Sequence, residues 1–523
     1  MMIFLYGPPG SGKTTVGQCL AGSLALPFVD LDREIEARAG ISIPEIFESE
    51  SEAGFRAREN DMLSEVIARR SGVVALGGGA LLNSANRSAV EQAGRVVCLR
   101  APVDVLLSRL VNSFAQRPLV DQDILRFLPR LLDAREEHYA SFLFHLDTSQ
   151  CTPVEASWRI QTLLGSFHAA GMGQGYDIRV VRSGLEQVGD DIKSKNLKGP
   201  IAVVSDVNVA GLYAHRVIES CKHAGYTTGT VILPPGEQVK NMSSIQELWD
   251  GFLRLGMERT STVIALGGGV IGDLAGFAAA TYMRGISWAV LPTSLLAMVD
   301  ASLGGKTGAD LPQGKNLIGA FYPPVFVLTD PVSLSTLPEV EIRNGLAEIV
   351  KSALVGDAEL FQSCKQGWGT LSSNWDKVIC RSMVVKIKVI QADPYEKGIR
   401  ASLNLGHTVG HALEKVTHYT LPHGFSVSIG MVVEARLAEA LGLAQVGLAG
   451  EIIAVLDDLR LPVTIPIGVL PAEIIEAMYV DKKKTQGCLN FALPVKPGQV
   501  KIGVKIKDTG LIDHVIRQTT KNE

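Results

Sequence analysis

Met1–Tyr6, MMIFLY, runs directly into Gly7-Pro8-Pro9-Gly10-Ser11-Gly12-Lys13-Thr14, and the chain continues as TTVGQCLAGSLA over residues 14–25. A short apolar run has the length of a buried strand, and the stretch after the loop is amphipathic with helical spacing. The loop between them satisfies G-x-x-x-x-G-K-[ST] at every fixed position, in the strand-then-helix context that this pattern needs. Such a loop points successive backbone N–H groups inward at a helix N-terminus, where they cradle a phosphate. Gly10, Ser11, Gly12, Lys13, Thr14 and Thr15 form this cradle. Lys13 adds charge at the outer phosphate oxygens, and the Thr14 hydroxyl is placed for Mg²⁺.

Outward from this loop the pattern repeats. LPFVDLD (26–32), GVVALGGG (72–79) and RVVCLR (95–100) read as further buried strands separated by helical stretches. That alternation predicts α/β architecture on a parallel sheet. It ends in a helix near Trp158–Phe167, and HAAGMGQG, residues 168–175, reads as a Gly-rich linker. A second alternating block begins at Tyr176, with IRVV, PIAVVSD, TTGTVILP, TVIALGGG, SWAVLPT and VFVLTD as its strands. Beyond about residue 331 the strand signal fades and long helical patterns follow, including EIRNGLAEIVKSALV (341–355). The expected domains are therefore 1–167, the linker 168–175, an α/β domain 176–330 and a mostly α-helical domain 331–523. VVALGGGA (73–80) and VIALGGGV (263–270) echo each other, but a shift of 190 brings no further match, so they are two independent strand-and-loop solutions.

Composition narrows the function. The 523 residues carry 54 acidic and 50 basic side chains, a net charge of −4. A nucleic-acid or membrane surface needs a basic excess, so neither partner is expected. Small anionic ligands remain open, because a local cluster of Lys and Arg binds them without changing the total. Seven cysteines without a C-x-x-C pair read as free thiols of a reducing compartment, hence a cytoplasmic protein. No leader-like N-terminus and no apolar run of about 18 residues is evident.

Several residues after the phosphate loop point to its acceptor. Asp30 and Asp32 alternate at the end of the second strand, an arrangement that directs both carboxylates into one cleft. Arg56 follows Phe55, Gly77–Gly79 ends the third strand, Arg117-Pro118 sits in a stretch long enough for a lid, and Arg135 precedes Tyr139 by one helical turn. Guanidinium groups facing a glycine wall suit a small polyol carboxylate. With GPPGSGKTT, DLD, FRARE, ALGGGA, RPL and R-x-x-x-Y in order, residues 1 to about 165 resemble shikimate kinase. The resemblance implies a P-loop kinase fold with ATP handled by Gly10–Thr15 and Arg117, and Mg²⁺ held by Thr14 and, through water, Asp30. It implies that Asp32 acts on the acceptor hydroxyl, that Arg56, Gly78, Gly79 and Arg135 grip shikimate with it, and that Lys13 and Arg117 serve the transferring phosphoryl group.

The second block has its own clusters. LGGGVIGDLAGF (266–277) is a strand, glycine loop and helix start, which suits a pyrophosphate. DASLGGKTGAD (300–310) and GKN (314–316) bring Asp300, Lys306, Lys315 and Asn316 together among glycines and apolar residues, a setting for anion binding and not for a solvated face. Arg284 precedes them, and Lys351 follows Glu348 by one turn. Four of the ten histidines, 407, 411, 418 and 423, fall within 17 residues. His407 and His411 lie four apart on a predicted helix, so spacing alone makes them a metal-binding pair.

With these motifs, PGEQVK, and DPYEKGIRASLNLGH followed by PHG, residues 176–523 resemble 3-dehydroquinate synthase. The resemblance implies a Rossmann-like domain holding NAD⁺ through Asp206, Glu237, Lys240, Gly268, Gly269, Asp273, Thr293, Ser294, Lys306, Lys315 and Thr336. It gives Glu348, His407 and His423 as ligands of Zn²⁺ or Co²⁺, and leaves His411 for substrate and proton work. His418 is then a surface residue. Substrate contacts implied are Arg284, Lys306, Lys315, Asn316, Lys351, Lys386, Arg400, Asn404 and His411, with Asp300, Lys306, Lys351, Glu396 and His411 catalytic. The implied chemistry on 3-deoxy-D-arabino-heptulosonate 7-phosphate is oxidation at C5, elimination of phosphate, return of the hydride, ring opening and an internal aldol closure. NAD is regenerated in that sequence. A homodimer formed through this half is also implied. Two other classes stay open: a polyol dehydrogenase fused to a different small-molecule kinase, and a non-catalytic nucleotide sensor or scaffold. The first would not need the lysines around the metal, and the second would have lost key residues.

Overall fold

The computed structural model describes residues 1–114, 124–481 and 489–520. They divide into two compact units, Met1–His168 and Ala169–Glu523.

The first unit is built on strands β1 (Met2–Tyr6), β2 (Phe28–Asp30), β3 (Gly72–Ala75), β4 (Arg95–Arg100) and β5 (Phe144–Asp147), in the order β2-β3-β1-β4-β5. Every pairing is parallel. Alternate residues supply two cores, as the period-two geometry of a strand requires. Phe4, Tyr6, Val74 and Cys98 pack into one. Ile3, Leu5, Val73, Val97 and Leu99 face the helices on the other side. Both faces are covered, which explains why these strands read as continuous apolar runs.

In the second unit, β7 (Tyr176–Val180), β8 (Ile201–Asp206), β9 (Thr228–Leu233), β10 (Thr262–Gly267), β11 (Ser287–Pro292) and β14 (Phe326–Thr329) form the parallel run β7-β14-β11-β10-β8-β9. A short strand, β6 (Ser166–Ala169), carries the division between units. Two antiparallel hairpins stand apart: β12 (Lys306–Leu311) with β13 (Gly314–Phe321), and β15 (Leu489–Lys496) with β16 (Gln499–Ile506). From Glu339 onward the chain is otherwise mainly helical, and helices Glu339–Gly356, His407–Val416 and His423–Ala440 carry the metal-ligand candidates.

One expectation needs adjusting, and two others gain detail. The mostly helical region contains the β15–β16 hairpin, whose strands pack Leu489, Phe491, Leu493 and Ile506 into the helical core. Asp32 does not share a strand with Asp30. The strand stops at Asp30, whose carboxylate accepts from Arg33 N–H and caps the helix Leu31–Ala39, so Asp32 lies in the first helical turn. Within residues 168–175, Ala169 and Met172 are buried and Gly171, Gly173 and Gly175 have left-handed backbones, so the stretch is a folded turn. Composition alone suggests a loose linker there because glycine is used equally for freedom and for positive φ.

Candidate active sites

In the first unit the loop between β1 and the helix Lys13–Ser23 needs its glycines. A Cβ on Gly7 (φ 136°) would lie 2.2 Å from Leu99 O, and one on Gly10 (φ 78°) would lie 2.9 Å from Leu106 O. Gly12, also left-handed, opens the helix and turns its free N–H groups into the cleft. Lys13 Nζ donates to the carbonyls of Gly7 and Pro8 at 2.9 and 3.0 Å. Burial lowers its pKa to about 8, against the pull of Asp32 and Asp30. Thr14 Oγ1 donates to Asp30 at 2.7 Å, which places hydroxyl and carboxylate where a divalent cation would draw on both. Burial and then Asp30 raise the pKa of Asp32 to about 6. Gly10–Thr15, Asp30 and Asp32 line one cleft of about 520 Å³.

Beside this cleft runs the glycine wall. The Gly78 carbonyl accepts from Arg135 Nη1 and the Tyr139 hydroxyl, both at 3.0 Å. Arg56 Nη2 lies 2.8 Å from where a Cβ on Gly79 would stand, and a Cβ on Gly77 would meet Asp32 Oδ1 at 2.9 Å. The structure therefore brings Asp32, Arg56, Gly78, Gly79 and Arg135 together. Arg117 lies outside the described residues. Two residues went unread in the sequence. Glu59 is buried and fixes Arg56 Nη1 at 2.6 Å, a turn-spaced pair visible within FRARE. Arg109 lines the cleft and donates to Thr148 Oγ1 at 3.0 Å and to Thr148 O at 2.6 Å. Nothing local distinguishes Arg109 from a solvated helix arginine.

In the second unit three ligand-type atoms converge. Glu348 Oε1 lies 3.7 Å from His407 Nε2 and 3.6 Å from His423 Nε2, and one donor atom from each residue falls within 4.8 Å of the others. Those separations are too long for hydrogen bonds and suit a shared ion. The other ring nitrogens are already engaged: His407 Nδ1 with Leu405 O at 3.1 Å, His423 Nδ1 with Glu414 Oε1 at 2.7 Å. Such partners orient ligating imidazoles and aim Nε2 at the metal. Burial opposes a charge on His423, yet Glu348 and Glu414 outweigh it and hold its pKa up to about 10. Glu348 and Glu414 thus favour positive charge at His423, while burial and then Lys351 hold His407 neutral, as a ligating imidazole must be; a two-histidine, one-carboxylate set fits zinc or cobalt. The His411 ring sits 5.2 Å from that of His407, on the exposed side, outside the convergent triad. The histidine whose ring nitrogen converges with that of His407 and with the Glu348 carboxylate is His423, which arrives from a separate helix, and not His411 four residues along the same one.

A buried lysine network adjoins the triad. Lys351 pairs with Glu348, and lies 3.9 Å from Asp300 Oδ1. Lys386 Nζ donates to Asp300 Oδ1 at 2.6 Å and to its carbonyl at 2.7 Å. Burial opposes the charge on Asp300, but Lys386 and then Lys351 override it and lower its pKa. Nearer the surface, Lys306 pairs with Glu396, and Arg400 Nε lies 3.3 Å from Glu396 Oε1.

At the C-terminal ends of β8, β10 and β11, Gly268 caps the helix Gly269–Thr281 with no side chain in the way. A Cβ there would stand 3.4 Å from Ser294 Oγ, and one on Gly269 would stand 3.2 Å from Ala301 Cβ, so the turn is a close-packed backbone cradle. Thr293 N–H donates to Gly267 O at 2.9 Å. Asp206 ends β8 and caps the next turn through Asn208 and Val209 N–H. Lys240 Nζ pairs with Asp273 and donates to Asn316 Oδ1, both at 2.6 Å, and Lys315 lies 3.3 Å from Glu237. Thr336 Oγ1 meets the Tyr213 hydroxyl at 2.5 Å. Arg284 and Asn404 lie exposed.

Residues 230–344 match the family model for the N-terminal part of 3-dehydroquinate synthase, and residues 345–484 match that for its C-terminal part. The 3-dehydroquinate synthase of a Picosynechococcus strain is 42% identical over 334 residues, covering 62% of this chain and 92% of the relative. That of Symbiobacterium thermophilum is 44% identical over 303 residues, covering 57% and 85%. The chain belongs to the 3-dehydroquinate synthase family. Residues 9–163 match the shikimate kinase family model, so the synthase is fused to a kinase module. The two together make a bifunctional shikimate-pathway enzyme. Among solved structures, a 2-epi-5-epi-valiolone synthase from Streptomyces hygroscopicus with NAD⁺ and Zn²⁺ bound is 28% identical, covers 66% of this chain and 96% of its own, and has a TM-score of 0.61. A 2-deoxy-scyllo-inosose synthase complexed with carbaglucose-6-phosphate, NAD⁺ and Co²⁺ is 25% identical, covers 68% and 100%, and has a TM-score of 0.62. No helix among the described residues is long and apolar enough to cross a membrane.

Proposed function

We propose that the kinase unit transfers the γ-phosphoryl group of ATP to shikimate. The synthase unit, in the same reading, converts 3-deoxy-D-arabino-heptulosonate 7-phosphate to 3-dehydroquinate and phosphate. The observation that carries it is the convergence of Glu348, His407 and His423 beside Lys351, Asp300 and Lys386. A dehydrogenase acting on a neutral polyol has no use for buried lysines next to its metal. A substrate with both phosphate and carboxylate does.

In the kinase, Asp32 with its raised pKa is poised to take the proton of the acceptor hydroxyl. Lys13 and the loop N–H groups neutralise the transferring group, Thr14 and Asp30 would hold Mg²⁺, and Arg56 and Arg135 clamp the carboxylate. Arg117 keeps its expected role toward phosphate.

In the synthase, Gly268, Gly269, Asp206, Glu237, Lys240, Asp273, Thr293, Ser294, Lys315 and Thr336 would hold NAD⁺. Glu348, His407 and His423 would hold the divalent ion. Bound NAD⁺ supplies a reversible hydride acceptor, and the bound ion polarises a substrate oxygen. Asp300 fixes Lys386 in space, and Glu348 with Asp300 fixes Lys351, ready for an anionic substrate. Exposed Lys306 and Glu396, with Arg400 buried behind them, form a cluster that a phosphate can enter by exchanging one anion for another. His411, beside the triad but outside it, would move a proton at the substrate. Arg284, Asn316 and Asn404 complete the substrate contacts. The proposal includes a homodimer through the synthase unit, in the cytoplasm.

The test assays the whole chain for both reactions. Shikimate with ATP should yield ADP, and the heptulosonate phosphate with NAD⁺ and Zn²⁺ should release phosphate without net NADH. Lasting NADH accumulation with a polyol, and no phosphate release, would replace the synthase by a dehydrogenase. Sedimentation gives the oligomeric state.

A further inference from the structure

We propose that the turn Gly171–Tyr176 is a positioning element of the synthase site, resting on the synthase reading of that unit. Tyr176 is 2% exposed, and its hydroxyl oxygen accepts the N–H of Gly304 at 2.8 Å. Gly304 and Gly305 are both left-handed (φ 100° and 62°) and form the sharp corner that delivers Lys306. Met172 is also 2% exposed, and its Cε lies 3.1 Å from where a Cβ on Gly305 would stand. Gly171 comes against Pro394, whose Cγ would be 2.9 Å from a Cβ at that glycine.

These contacts reach two loops at once. Arg400 donates to Pro394 O through Nη1, and its Nη2 lies 2.6 Å from the Cβ position of Gly304. Glu396 then bridges Lys306 and Arg400. One face of this cluster is open to substrate, and its other face rests on residues 171–176. The turn is compact for local reasons: Gly175 N–H donates to Met172 O at 3.0 Å, and left-handed glycines at 171, 173 and 175 close the backbone around the methionine. A segment whose composition suggests an inert tether is thus built into the support of the cations that meet the substrate. Positioning groups of this kind act through geometry, where displacements near 1 Å alter rates and affinities.

Tyr176→Phe removes the acceptor of the Gly304 N–H, and Met172→Ala opens space behind Gly305. The full chain carrying either change is measured in three ways. Hydrogen exchange by mass spectrometry should accelerate at residues 303–306 and 393–400 and nowhere else. The KM for the heptulosonate phosphate should rise about tenfold, with kcat altered less, because a donor without its acceptor loosens the corner that presents Lys306. Kinase turnover should be unchanged. Exchange that is unaltered at both loops, or raised uniformly across the unit in both variants, overturns the proposal. If the wild-type chain releases no phosphate from the heptulosonate phosphate, the synthase reading fails, and the exchange measurement still decides whether the turn supports the two loops.

Discussion

Glu414 Oε1 accepts the Nδ1–H of His423 at 2.7 Å, which turns Nε2 of that ring toward Glu348. The two residues come from different helices, and the carboxylate is buried. It fixes both the tautomer and the direction of a metal ligand. Glu414→Gln keeps the size but weakens the charge-assisted bond, and should lower metal affinity by about 10–100-fold in a chelator competition. A wild-type affinity in Glu414→Gln would mean that packing alone orients His423.

Metal content separates the two histidines that compete for the role of ligand. His423→Ala should be purified with little metal. His411→Ala should retain it and still turn over slowly, since its ring stands outside the triad. If His411→Ala loses the ion and His423→Ala keeps it, the pair four residues apart on one helix is the true site.

Lys13→Ala should lower the kinase rate by about two orders of magnitude or more, a transition-state loss of roughly 3 kcal/mol. Synthase turnover should not change, because Lys13 belongs to the other compact unit. Parallel loss of both activities would refute the division of labour.

The kinase should show two pH limits in kcat/KM, which reports the free enzyme. Asp32 is raised to about 6 and must be ionised to accept a proton, so activity should climb as pH rises through that value. Lys13 is lowered to about 8 and must be charged to hold phosphate, so kcat/KM for ATP should fall as pH passes above it. The upper limit should move higher in kcat, since bound polyphosphate stabilises the ammonium. The raised Asp32 pKa also has a stability consequence. The folded chain holds that proton more tightly than the unfolded one, so this carboxyl costs stability as pH rises from about 4 to about 6. Asp32→Asn should abolish the acid limit along with most turnover.

The strand segments around the phosphate loop, and the loop itself, were legible because they depend on neighbours in the chain. The metal site was only half legible. His407, His411 and Glu414 share one helical face at spacings of four and seven, so the sequence marks the face without saying which members bind the ion. Convergence with Glu348 and His423 comes from helix packing across the fold, which no local pattern encodes. The β15–β16 hairpin did carry a local signal, the Pro497-Gly498 turn with Gly498 at φ 80°. It was masked by the helical patterns around it. The turn at 171–175 is the reverse case: its glycines are evident, but not that they close a turn which buries Met172 against Gly305.

Gly430 offers the sharpest test of how that packing supports the metal. Helix His423–Ala440 crosses the start of helix His407–Val416 so closely that a Cβ on Gly430 would lie 2.0 Å from Gly406 O. Gly406 is left-handed (φ 79°) and immediately precedes His407, and its N–H donates to buried Glu434 at 2.5 Å. Backbone is not a flexible neighbour, so Gly430→Ala must push the helices apart. Overpacking of this kind costs about 1–3 kcal/mol. Because the displaced carbonyl belongs to the residue before a ligand, the strain should appear in metal affinity as well as in stability. The urea midpoint of the synthase unit should fall, with the kinase transition unmoved, and metal should exchange faster from the folded variant. A stability loss with undisturbed metal affinity would show that His407 is positioned by its own helix and not by the helix crossing.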